Sequence, residues 1–128
     1  MPLLNSGRNY IRNSVSGNAS PVLFNNANSR IAVGNGATAF SAAHTDLVGA
    51  STTRRPMDSG YPDFTQGANI TRFRSTFGTG DANHAWEEWG IVNAASGGDM
   101  LNRKPESLGT KTSAQTWELT VDLTFNNP

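Results

Sequence analysis

The stretch TWELTVDLTF, residues 116–125, alternates without exception. Trp117, Leu119, Val121, Leu123 and Phe125 are apolar, and Thr116, Glu118, Thr120, Asp122 and Thr124 between them are polar. Successive side chains of an extended strand point to opposite faces. One face of this strand is therefore dry and the other wet, which calls for an antiparallel sheet lying over a core on one side.

A second segment repeats the logic. In NITRFRSTF (69–77), Thr71, Phe73, Ser75 and Phe77 share one face, while Ile70, Arg72, Arg74 and Thr76 share the other, so one side is buried and the other carries cations. Strand signals start at Arg30 with RIAV, followed by Gly34-Asn35-Gly36, a turn sequence tolerant of positive φ. SAAHTDL (41–47) reads as one or two helical turns capped by Ser41. GASTTRRPMDSGYP (49–62) is β-prone at its start and interrupted by Pro56 and Pro62, the pattern of an edge strand or a long connection.

The first sixteen residues differ. Leu3, Leu4, Tyr10, Ile11 and Val15 recur at near-helical spacing with Arg8 and Arg12 on another side, which predicts a short amphipathic helix stopped by Gly17, or an extended arm that orders on a partner. Gly7 weakens the helix by about 1 kcal/mol relative to Ala. SGNASPVLFNNANS (16–29) is loop, anchored by Val22, Leu23 and Phe24. Short strands joined by Gly-rich turns, without βα alternation, define the fold class as an all-β antiparallel sandwich with a short N-terminal helix or arm. Residues 1–28 form the N-terminal helix or arm and loop, and residues 29–128 the β-sandwich domain.

A chain of 128 residues is the size of one domain. Only 36% of it is apolar, but three Trp, six Phe and two Tyr suffice for one core. Ten basic residues balance ten acidic ones, so no long-range field draws phosphate polyanions, and nucleic acid is not an expected partner. Near-neutral charge also leaves little repulsion between copies, which suits a component of an assembly. The absence of cysteine removes disulfides, thiolate metal sites and cysteine nucleophiles together. No apolar run approaches the ~20 residues that span a bilayer, and the N-terminus lacks a signal core, so no membrane is expected and the chain reads as made and kept in the cytoplasm until assembly.

HAWEEWGIVNAASGGDML (84–101) concentrates the residues that carry chemistry elsewhere. For a metal, His84, Glu87, Glu88 and His44 are the candidates, but His84 and Glu87 make one spaced pair where zinc takes three or four protein ligands. For glycoside hydrolysis two carboxylates must flank one bond about 5–9.5 Å apart. Neighbours on a strand diverge, so Glu87 and Glu88 do not share a substrate. Gly-x-Ser-x-Gly is absent, and the Gly34-Asn35-Gly36 stretch lacks the third glycine and following helix of a dinucleotide loop. Trp86 and Trp89 read as core rather than as an exposed sugar platform. The segment is thus a strand, a tight turn region and a returning strand. Glu87 and Glu88 are expected to be solvated, or paired with Arg72, Arg74 or Arg103 at ~0–1 kcal/mol each.

Several strings recur together in one order: LLNSGRNYIR, IAVGNGATAFSAAHTDLVG, RRPMDSGYP, TFGTGDAN, EWGIVNAASGGDMLNRK and LGTKTSAQTWELTVDLT. On this ordered set the chain resembles small virion structural proteins of tailed bacteriophages. Val92 and His84 depart from it, standing where relatives carry aromatics. The resemblance implies a β-sandwich on the outside of the virion, assembled in the host cytoplasm, with no catalytic residue, metal or cofactor. It implies a non-enzymatic capsid decoration (cement) protein bound to the major capsid protein and to copies of itself, with a tail, baseplate or fibre component as the alternative. Residues 89–100 and 109–113 carry over as scaffold. The expected capsid or subunit contacts are Leu3, Leu4, Tyr10 and Ile11 as apolar anchors and Arg8 and Arg12 as polar ones. The other reading of that segment is that it covers one open end of its own sandwich.

Overall fold

The computed structural model describes residues 2–126. Helix α1 (Asn5–Ser16) is followed by strands β1 (Arg30–Gly34), β2 (Thr52–Pro56), β3 (Ile70–Phe77), β4 (Ala85–Val92), β5 (Lys104–Thr110) and β6 (Trp117–Thr124). The strands form two antiparallel sheets, one in the order β2-β1-β4-β5 and one of β3 and β6. The all-β sandwich with a short N-terminal helix is the observed architecture.

The two sheets meet over one core, to which the alternation in β3 and β6 leads directly. Phe73 and Phe77 of β3 and Val121 of β6 are buried against Ile31 and Val33 of β1 and Trp86, Trp89 and Ile91 of β4. Trp117, Leu119 and Leu123 pack on it from β6 while keeping part of their surface in water. Trp86 is the hinge of the aromatic cluster, edge-on to Phe77 at 4.7 Å and to Trp117 at 4.9 Å between ring centroids. Such pairs add about 0.5–1.5 kcal/mol beyond the area they bury.

The larger sheet is dry on its outer face as well. Ala32 and Val92, alternating with the core residues Ile31 and Ile91, are buried with Leu4 and Met100 in a second cluster, against which the partly buried Leu47 packs. This layer comes from the start of α1 and from residues 35–51. The chain leading into the helix pairs with the segment just before β5: Leu3 bridges Asn102, and Leu4 N–H donates to Leu101 C=O at 3.1 Å. Gly17 ends the helix at φ 68°, a left-handed value open to glycine at little cost. Gly7 is the point of closest approach. A Cβ there would collide with the Leu101 carbonyl, so the residue that costs helix propensity is what lets the helix lie on the sheet.

Two local expectations change. Gly34-Asn35-Gly36 is no tight turn: β1 pairs with β2, but residues 35–51 intervene and cross the outer face first. Asn35 closes the base of this excursion, donating its backbone N–H to Ser51 C=O at 3.1 Å and accepting Ser51 N–H on its side chain at 3.0 Å. Residues 41–47 form a single turn around Ser41 rather than a helix, with Ala43 N–H on the Ser41 hydroxyl and His44 N–H on its carbonyl. The excursion runs open because its N–H groups are directed at a buried acid. In the loop at 16–29, Phe24 is the anchor, stacked edge-on against Tyr10 at 4.7 Å, whereas Val22 and Leu23 stand in solvent.

Candidate functional site

Strand β4 carries the acidic doublet, and its pairing slips there. Trp86 lies opposite Gly109 but Glu88 opposite Pro105, so residues 106–108 of β5 stand against the single Glu87. The irregularity resets the side-chain alternation. Trp86 and Trp89, three apart, both reach the core between the sheets, and Glu88 turns to the outer face.

Glu88 is wholly buried there, which corrects the expectation that it faces water. The reason is the dry outer layer. Its Oε1 accepts Arg103 Nε at 2.7 Å and Val48 N–H at 2.9 Å, and its Oε2 accepts Gly49 N–H at 2.7 Å and Gly36 N–H at 2.8 Å. Four donors saturate the carboxylate. Arg103, one of the three arginines expected as partners, is equally buried, and its Nη2 reaches Gly36 C=O at 3.4 Å. The glycines are required: a Cβ on Gly36 would collide with Glu88 Oε2.

Glu87 shares none of these partners. It stays at the surface and accepts Ser107 Oγ–H at 3.2 Å. The two oxygen pairs therefore face different surroundings, and no single reactant meets both. Trp86 and Trp89 are core residues, 2% and 7% exposed, with their indole N–H groups on Ala82 C=O at 3.0 Å and Glu106 Oε2 at 2.9 Å. The Trp89 bond, with the nearby Lys104 charge, holds the Glu106 carboxyl below the usual carboxylate range.

The histidines lie apart. His84 Nδ1 is 2.8 Å from Ala85 C=O and its Nε2 is 3.5 Å from Thr53 Oγ1, while His44 Nδ1 accepts Ser41 N–H at 3.3 Å. Among the described residues, no three His, Asp or Glu side chains are grouped to hold a metal ion.

The wet face of the smaller sheet is laced with ion pairs. Arg72 holds Asp122 with two bonds, at 2.8 and 3.0 Å, and Arg74 holds Asp58 at 2.8 Å while its guanidinium lies 4.3 Å from the Tyr61 ring centroid. Hydrogen bonds from Arg72 lower the Asp122 pKa, and the same contact raises that of Arg72. Asp63 is lowered by hydrogen bonds from Gln66 and Thr65.

The six residues expected to make contacts are divided by the structure. Leu4 is fully buried within the chain, and Leu3 and Ile11 pack on the inter-sheet core. Tyr10 is held against Phe24. Much of their apolar surface packs within this chain, with Leu3, Tyr10 and Ile11 half-buried, while Arg8 and Arg12 are exposed and bonded to Asn5 and Asn13. Two features had no sequence signal. Lys111 is 1% exposed, with its ammonium on Asn83 Oδ1 at 2.8 Å. A neutral cleft of about 520 Å³ lies between residues 23–26 and 60–64, walled by Tyr61, Phe24 and two exposed side chains, Leu23 and Phe64.

No protein-family model matches the chain, and no curated protein matches it.

Proposed function

We propose that this chain is a non-enzymatic structural protein of a bacteriophage virion, a decoration protein that binds the outside of the head and braces contacts between capsomers. The observation that carries the reading is Glu88. This buried acid has both oxygens committed to four donors, and what it holds is the layer formed by residues 35–51. A carboxylate so engaged acts as a rivet, with no lone pair left for proton transfer. The ordered strings on which the chain resembles phage virion proteins point the same way. The partners are the major capsid protein and further copies of this chain, where modest contacts repeated by symmetry multiply through effective concentration.

A second reading, as a tail, baseplate or fibre component that touches host glycans, rests on the neutral cleft beside Tyr61 and Phe64, the latter 78% exposed. Trp86 has no part in it, being buried. Electron cryomicroscopy of virions carrying this chain separates the readings. Hundreds of copies over the head are expected, a handful at the tail would favour the second reading, and absence from the particle would overturn both.

A further inference from the structure

The two lateral sides of the sandwich are finished differently. On one side β3 is closed by the chain that precedes it: Asp63 and Arg72 exchange backbone bonds at 2.7 and 2.8 Å, and Asp58 N–H donates to Arg74 C=O at 2.9 Å. On the other side β6 has no neighbouring strand besides β3 among the described residues. Beside it, a cleft of about 310 Å³ separates β6 from β5, lined by the apolar Trp89, Leu108, Leu119 and Val121 and by the polar Lys104, Glu106, Thr120 and Asp122. Leu119 is only partly covered there, and Leu123 further along the strand is likewise partly exposed.

Register decides which groups are free. Phe125 N–H donates to Asn69 C=O at 2.9 Å, which makes that pair a bonded one. In an antiparallel ladder bonded pairs alternate, so Trp117, Leu119, Val121 and Leu123 direct their backbone groups to β3. The N–H and C=O of Glu118, Thr120, Asp122 and Thr124 point to the open edge. The strand contains no proline, no lysine and no bulge to blunt that edge, and its two charges, Glu118 and Asp122, are paired with arginines of β3.

We propose that β6 pairs with β6 of a second copy, antiparallel about a two-fold axis at Val121, so that the sheet of two strands becomes a sheet of four. An isologous contact demands that the strand complement its own reverse. Centring on Thr120 sets Glu118 against Asp122, and centring on Asp122 sets that residue against itself. Both put carboxylate against carboxylate. Centring on Val121 sets Glu118 against Thr124, Thr120 against Asp122 and Leu119 against Leu123. That register opposes no like charges, uses the free backbone groups and engages the strand from Glu118 to Thr124. Glu118 and Asp122 are meanwhile neutralised from behind by Arg74 and Arg72. The proposal concerns the chain in solution and stands independently of the virion reading.

Sedimentation equilibrium of the full chain over a concentration series tests it, and a monomer–dimer equilibrium is expected. Thr120→Asp faces Asp122 of the second copy in two symmetric contacts and should weaken the dimer about tenfold, whereas Thr120→Lys should tighten it about tenfold. Within one copy residue 120 faces Arg74, so the effects on folding run in the opposite sense and distinguish pairing from mere damage. Val121→Cys introduces the sole cysteine of that variant, which should form a covalent dimer on oxidation. A chain monomeric at every concentration, variants that shift the equilibrium in one direction or not at all, or a Val121→Cys variant that does not cross-link would overturn the pairing.

Discussion

Two arginine–carboxylate pairs in this molecule have almost the same length and opposite weight. Arg103 and Glu88 meet at 2.7 Å with neither side chain exposed, and Arg72 and Asp122 meet at 2.8 Å with about a third of each in water, 33% and 36%. Contact distance says nothing about consequence. The buried pair has already lost its water, so each member depends on the other and on the backbone donors around it, and losing one leaves an uncompensated charge. The surface pair is solvated and screened whether or not it forms.

The sharpest way to break this comparison is Glu88→Ala. It strands the Arg103 charge and the N–H groups of Gly36, Val48 and Gly49, and is expected to cost about 3–5 kcal/mol in denaturant unfolding. A cost below about 1 kcal/mol would mean that the outer layer does not rely on the pair. Gly7→Ala comes next. If the helix merely floated on the sheet, alanine would stabilise it by about 1 kcal/mol through propensity. Contact with the Leu101 carbonyl instead predicts a net loss of about 1–3 kcal/mol, and the sign of the thermal shift decides.

Acid sharpens the surface half of the comparison. Asp122, Glu106 and Asp63 have folded pKa values below their ordinary ones, so their contribution is complete above the ordinary carboxylate range and is lost as pH falls through the depressed values. Denaturation midpoints should therefore stay level near neutrality and fall only below about pH 4. A midpoint that dropped between about pH 7 and 5 would contradict this. Asp122→Asn should have the smallest effect, a slight fall in Tm that vanishes in molar salt, read by calorimetry at two ionic strengths.

Strand β4, buried on both faces, carries no regular alternation, whereas the predicted strands at β3 and β6 match the structure because period-2 alternation is a local signal that any half-buried strand must show. Helix α1 and its glycine stop were legible for the same reason, and β2 was recognisable as an edge by its proline. The open excursion at 35–51 was not legible. Its glycines resemble turn formers, and only the folded chain shows that they make room for a carboxylate.

What the sequence by itself determined is the class of fold and the dry face of β3 and of β6, since both follow from the order of apolar and polar residues along one segment. Only the tertiary structure decided that Glu88 is buried, that Gly7 is a contact and that α1 lies on its own sheet. Those outcomes depend on a second layer brought over the larger sheet by residues distant in the chain, and no local pattern encodes which face a remote segment will cover.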